Sequence, residues 1–141
     1  MKDRIFQLCD TVRETAYALH RYLGPGHLEK VYQNGLVHRL RKAGLTVEPQ
    51  VQLLVHDEDG TLLGEFFADI LVEGILILEL KAVREMANAF TAQLLGYLRA
   101  SRIEHGLLIN FGAGTFFIKK FVKSDALAEV SHQRRFPDPR E

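Results

Sequence analysis

In the largely apolar stretch 66-FFADILVEGILILELKAV-83, Glu73 stands beside Gly74 in a turn, and three further charged residues fall within the flanking apolar runs: Asp69, Glu79 and Lys81. An ionised group taken out of water alone costs far more than one neighbouring leucine returns, so the charges need partners. Side chains alternate along a strand, which puts Glu79 and Lys81 on one face. Whether Asp69 joins them depends on the turn. A two-residue turn at Glu73-Gly74 would pair Val72 with Ile75 and send Asp69 to the opposite face from Glu79. A three-residue loop, Glu73-Gly74-Ile75, pairs Val72 with Leu76 and sets Asp69 across from Glu79, with Gly74 supplying a left-handed residue. In that second register Phe66, Ala68, Ile70, Val72, Leu76, Leu78, Leu80 and Ala82 form one wholly apolar face. A slip of one residue would scramble it, so the three-residue loop is expected.

Two carboxylates facing each other across a strand pair repel unless a proton or a cation sits between them. Lys81 offsets part of that repulsion, and an ion-pair trio with a structural role is one outcome. The other is a hard divalent ion such as Mg²⁺, which takes oxygen ligands and keeps waters for chemistry.

The elements that must position these groups follow from periodicity. Ile5, Leu8, Val12, Ala16, Leu19 and Leu23 recur at helical steps over 3–23, and Gly24-Pro25-Gly26 ends that helix. A second helix is expected over 27–43, with Leu28, Val31, Tyr32, Leu36 and Leu40 on its apolar side and Gly44 as its stop. Strands are expected at 50–56, 61–72 and 75–82, a helix at 87–101, and strands at 105–111 and 115–122. The order is α-α-β-β-β-α-β-β, a mixed α/β domain over 1–123. Residues 124–141 leave room for a short helix and then a flexible tail.

Composition excludes several classes. The chain has 141 residues, 47% apolar and 26% charged, which is ordinary for a globular domain and unlike a disordered chain. Formal net charge is zero, so no global positive field draws a polyanion. Basic residues cluster locally at Arg39, Arg41 and Lys42, at Arg99 and Arg102, at Lys119, Lys120 and Lys123, and at Arg134 and Arg135, as solvated faces do. Cys9 is the only cysteine, which leaves no intramolecular disulfide or cysteine zinc cluster. The six histidines show no metal-ligand spacing. Neither a signal-peptide core nor a transmembrane span is present, and a cytoplasmic protein without a membrane partner is the expectation.

Asp69, followed ten residues later by Glu79-Leu80-Lys81, resembles the acidic signature of the PD-(D/E)XK nuclease superfamily. Gly26-His27-Leu28-Glu29-Lys30-Val31-Tyr32 resembles the GxxExxY motif of a small bacterial family within it. The segments ADILV, LELKAV, Ala92-Gln93-Leu94-Leu95 with Tyr97-Leu98, and Leu108-Ile109-Asn110-Phe111-Gly112 extend the likeness from about residue 5 to 122. Phe90 departs from the pattern, standing where a histidine is expected.

The resemblance implies a restriction-endonuclease-like mixed β-sheet flanked by helices and a nuclease using Mg²⁺ or Mn²⁺. By position, Asp69 and Glu79 would ligate the metal with the Leu80 carbonyl, and Glu29 would support it. Lys81 would act beside the attacking water, and Gln93 would orient the site. Tyr97, Lys119 and Lys120 are the candidate nucleic-acid contacts. Each has a plainer role to set beside this one. Glu29 suits a helix N-terminus, and Lys119 and Lys120 suit a solvated strand edge. The implied reaction is phosphodiester hydrolysis, with DNA ahead of RNA as substrate. A homodimer or a partner protein that supplies specificity are further expectations. The alternative is a nucleic-acid-binding or assembly protein that keeps the site without turnover.

Overall fold

The structure, a computed structural model, describes residues 2–124. The elements follow the expected order: α1 (Lys2–Leu23), α2 (Glu29–Lys42), β1 (Val47–His56), β2 (Leu62–Val72), β3 (Leu76–Lys81), α3 (Asn88–Ser101), β4 (His105–Asn110) and β5 (Phe117–Val122). Of the expected tail over 124–141, all but Ser124 lies outside the described residues. No helix among the described residues is long and apolar enough to cross a membrane.

The five strands form one mixed sheet in chain order. Neighbours are antiparallel except β3 and β4, which run parallel and are joined through α3. Helices α1 and α2 cover one face. Val12, Ala16, Leu36 and Leu40 bury there against Ile70, Val72, Leu78, Leu80, Leu107 and Ile109. Helix α3 covers the other face, burying Leu94, Leu95 and Leu98 against Ile77, Leu108 and Phe121. The charged face of the β2–β3 hairpin is therefore not open to solvent along its length. It has a second core of its own, and its charges lie within that layer.

The stripe on α1 lies as its periodicity predicts, with Ile5, Leu8, Val12, Ala16 and Leu19 buried. The stripe on α2 does not. Leu28 and Val31 are 78% and 40% exposed, and the buried set is Tyr32, Gln33, Leu36, Val37 and Leu40. The helix begins only at Glu29, so Leu28 belongs to the preceding turn. The rotation of α2 is set by Tyr32, whose ring stacks on Phe111 with centroids 4.7 Å apart. Its hydroxyl donates to the Gly24 carbonyl at 2.6 Å and accepts the His27 N–H at 3.2 Å. Gly26 lies within that clamped turn at φ 107°, a conformation open to glycine.

The expected hairpin register is observed: Val72 pairs with Leu76, Leu71 with Ile77 and Ile70 with Leu78. Both Glu73 and Gly74 are left-handed, at φ 52° and 69°, and Ile75 N–H donates to Val72 C=O at 3.1 Å. One part of the expected apolar face is corrected. Ile70 and Val72 lie under α1 and α2, whereas Ala68 packs with the α3 cluster and Phe66 stacks on Tyr97 of α3. On β1, Gln50 is left-handed at φ 53° and has no paired partner, although pairing resumes at Val51–Ala68. Beyond that distortion the β1–β2 ribbon changes the layer it serves and swings over α3.

Candidate active site

The hairpin register carries Asp69 to the level of Glu79, and there the backbone ladder gives way to the two carboxylates. Asp69 N–H donates to Glu79 Oε1 at 3.2 Å, and Leu80 N–H donates to Asp69 Oδ2 at 2.7 Å. Each acid thus takes an amide of the other strand. An extended residue points its N–H and C=O the same way, so the Leu80 carbonyl also faces the Asp69 side. Glu79 is only 3% exposed. Burial, and then the Asp69 charge beside it, push its carboxyl up to about 8. Asp69 is raised too, first by burial, although the Leu80 amide, Lys81 and the Gln50 side chain pull the other way. The pair holds a proton between them when no other cation is there.

Lys81 follows on the same strand. Its Nζ donates to Gln93 Oε1 at 2.9 Å and lies 4.7 Å from the centre of the Phe90 ring. Gln93 Nε2 donates in turn to Tyr97 Oη at 2.7 Å, one helical turn further along α3. The Tyr97 hydroxyl is raised by partial burial and then by the Glu79 charge, which places it within the field of the acids. Glu29 stands at the first turn of α2. Though exposed at its surface, its carboxyl is raised by the protein around it and then by Asp69, with Lys81 opposing. Elements α2, β2, β3 and α3 therefore each deliver a group to one locus.

The two basic residues of β5 separate. Glu79 pairs with Leu108, and Leu108 with Lys119, so Lys119 shares the row and face of Glu79 two strands away, over the Phe121 ring. Lys120 pairs with Leu107 and sits over Phe6 of α1, on the opposite face from the acids.

Three contributors had no assigned role in the sequence. Asn110 is buried at the end of β4. Its Oδ1 accepts the N–H groups of Val83 and Gly112, each at 3.0 Å, and its Nδ2 donates to Val83 C=O at 2.9 Å. It ties the exit of β3, just past Lys81, to the exit of β4. A polar residue ending the buried run LLIN was the available signal. Gln50 lowers the Asp69 carboxyl and donates to Gln33 at 2.6 Å, and no local pattern marks it. Phe66 supports Tyr97 only because the ribbon changes sides.

Among the described residues, no three His, Cys, Asp or Glu side chains gather closely enough to form a ready metal cage. Two carboxylates nevertheless suit Mg²⁺ or Mn²⁺, because Mg²⁺ is commonly held by one or two carboxylates and completes its shell with waters and substrate phosphate oxygens. The buried, mutually repelling pair fits such an ion, and Glu29 stands near enough to feel the same charges.

The sequence matches the family model described as PD-(D/E)XK nuclease superfamily over residues 6–122. No curated protein matches it. Among solved structures, the crystal structure of SSO0001 is similar, with a TM-score of 0.54 and 18% sequence identity over 75% of this chain. The chain spans 58% of that protein's length, and at this identity the likeness concerns the fold.

Proposed function

Because the chain belongs to the PD-(D/E)XK nuclease superfamily and has its restriction-endonuclease-like fold, we propose that it hydrolyses phosphodiester bonds in DNA with Mg²⁺ or Mn²⁺ at Asp69 and Glu79. The observation that carries this reading is the buried carboxylate pair with the Lys81 ammonium at its rim. Bound there, the divalent ion would supply Lewis-acid activation of water and of the phosphoryl oxygen.

The chain's own groups do the rest. Asp69 and Glu79 must both be ionised to hold the ion, so loading displaces the proton they share and weakens as pH falls. Lys81, steered by Gln93 and the Phe90 ring, presents its ammonium to a non-bridging phosphate oxygen and stabilises the charge that builds there. The water oxygen gives up a proton to solvent as it forms the new P–O bond. The ester P–O bond breaks, and the departing oxygen takes a proton from solvent, so that no net proton is lost beyond the ionisation of the new phosphate. Tyr97 keeps Gln93 from swinging away from Lys81. Gly26, Glu29 and Tyr32 support a place in the GxxExxY family, since the clamped turn at Gly26 and Tyr32 brings Glu29 toward Asp69.

The test is cleavage of labelled DNA in Mg²⁺ or Mn²⁺. Wild type should cut, and Asp69→Asn, Glu79→Gln and Lys81→Ala should each abolish cutting. Activity that survives all three substitutions would overturn the assignment. DNA binding without any cutting would favour the alternative of a silent binding protein.

A further inference from the structure

A groove of about 710 Å³ runs along α3 beneath the β1–β2 hairpin and reaches the candidate site at Gln93, the partner of Lys81. Gln93, Tyr97 and Phe66 line it at the catalytic end, and Arg99 and Arg102 line it further on. We propose that this groove binds an unpaired strand of the nucleic acid, guiding it to Lys81. The proposal rests on the nuclease reading for the nature of the ligand, while its geometry stands apart from catalysis.

Size comes first. From Gln93 to Arg102 the helix rises ~13 Å, about the length of four stacked nucleotides at 3.4 Å each. A space of about 710 Å³ over that length is too small to enclose a duplex, whose major groove alone is about 12 Å wide. A single strand fits.

The lining chemistry agrees. Phe66 and Tyr97 lie nearly parallel, with ring centroids 4.0 Å apart and planes 11° apart. A base can extend that stack, and every base offers a π-face for it. Arg99 and Arg102 are exposed, and neither pairs with a carboxylate among the described residues. They are suitable phosphate contacts. Asp57 and Glu58 on the hairpin turn form the other lip and repel phosphate, which favours the helix side for the backbone. Gly96 also lines the groove, and an added Cβ there would meet nothing within 4 Å. The open space belongs to the groove.

Gly96 also supplies the test. Gly96→Leu adds a good helix former whose Cβ enters open space and whose longer side chain projects into the groove, so its melting temperature should match or exceed wild type. Fluorescence anisotropy would use a labelled dodecanucleotide and the matching duplex, in EDTA so that nothing is cut. Wild type should bind the single strand about tenfold more tightly than the duplex. Gly96→Leu, and separately Arg99→Ala with Arg102→Ala, should each weaken single-strand binding about tenfold. The arginine variant should also lower the log–log salt slope by about 1.4. Duplex binding tighter than single-strand binding, or unchanged affinity in both variants, would overturn the proposal. Wild-type cutting in Mn²⁺ separates the two claims. Cutting with unaffected variants removes the groove and keeps the nuclease, whereas groove-dependent binding without cutting does the reverse.

Discussion

Glu79→Gln in the metal-free protein isolates the electrostatic cost of the site. Folded Glu79 holds its proton up to about 8, against 4.5 in the unfolded chain. Between those values the native state binds the proton and the unfolded state does not. Stability is therefore lost as pH rises from about 4.5 to about 8 and is flat above that. At ~1.36 kcal/mol per pKa unit the full span is about 4–5 kcal/mol. Sharing the proton with Asp69 and relaxation of the ionised pair bring the expectation to about 3 kcal/mol. Glutamine keeps the acceptor for Asp69 N–H and offers Asp69 a donor in place of the shared proton. In EDTA at about pH 9, Glu79→Gln should melt roughly 6–12 °C above wild type, and the two should converge near pH 4.5. Thermal unfolding followed by circular dichroism across that pH range reads both quantities. A variant that melts below wild type at high pH, or a difference that does not grow with pH, would refute this reasoning. The trio would then be a stabilising ion-pair structure.

Other substitutions probe the support around the acids. Gln93→Leu releases Lys81 and leaves the Tyr97 hydroxyl without its partner, so DNA cleavage should fall about 10–100-fold while the melting temperature stays nearly unchanged. Tyr32→Phe removes the hydroxyl that joins Gly24 and His27 and should cost about 1–2 kcal/mol in a denaturant titration. Asn110→Leu strands two buried amides and a carbonyl at the exits of β3 and β4. It should cost about 2–4 kcal/mol by the same measurement.

Much of the architecture was legible because it rests on repeating patterns. Apolar steps of three and four marked α1, and the alternation through Ile70–Val72 and Leu76–Leu80, with Gly74 between, fixed the register that levels Asp69 with Glu79. The same pattern misled where geometry overrides periodicity. Leu28 and Val31 suit a helix stripe, yet the clamped turn starts α2 at Glu29 and rotates both outward. Phe66 and Ala68 share the parity of Ile70. They serve the other layer because the strand pair distorts at Gln50, and a left-handed glutamine leaves no trace in composition. Local sequence also could not tell that α3 covers the charged face of the hairpin. That depends on the parallel crossover between β3 and β4, a long-range feature.

The most direct measurement is the anomalous scattering of Mn²⁺ in crystals of wild-type protein soaked at a metal concentration that supports DNA cleavage. A peak is expected between Asp69 and Glu79, in direct contact with an oxygen of each, and it should be lost in Asp69→Asn. Density elsewhere, with the two carboxylates still closed on each other's backbone amides, would contradict it.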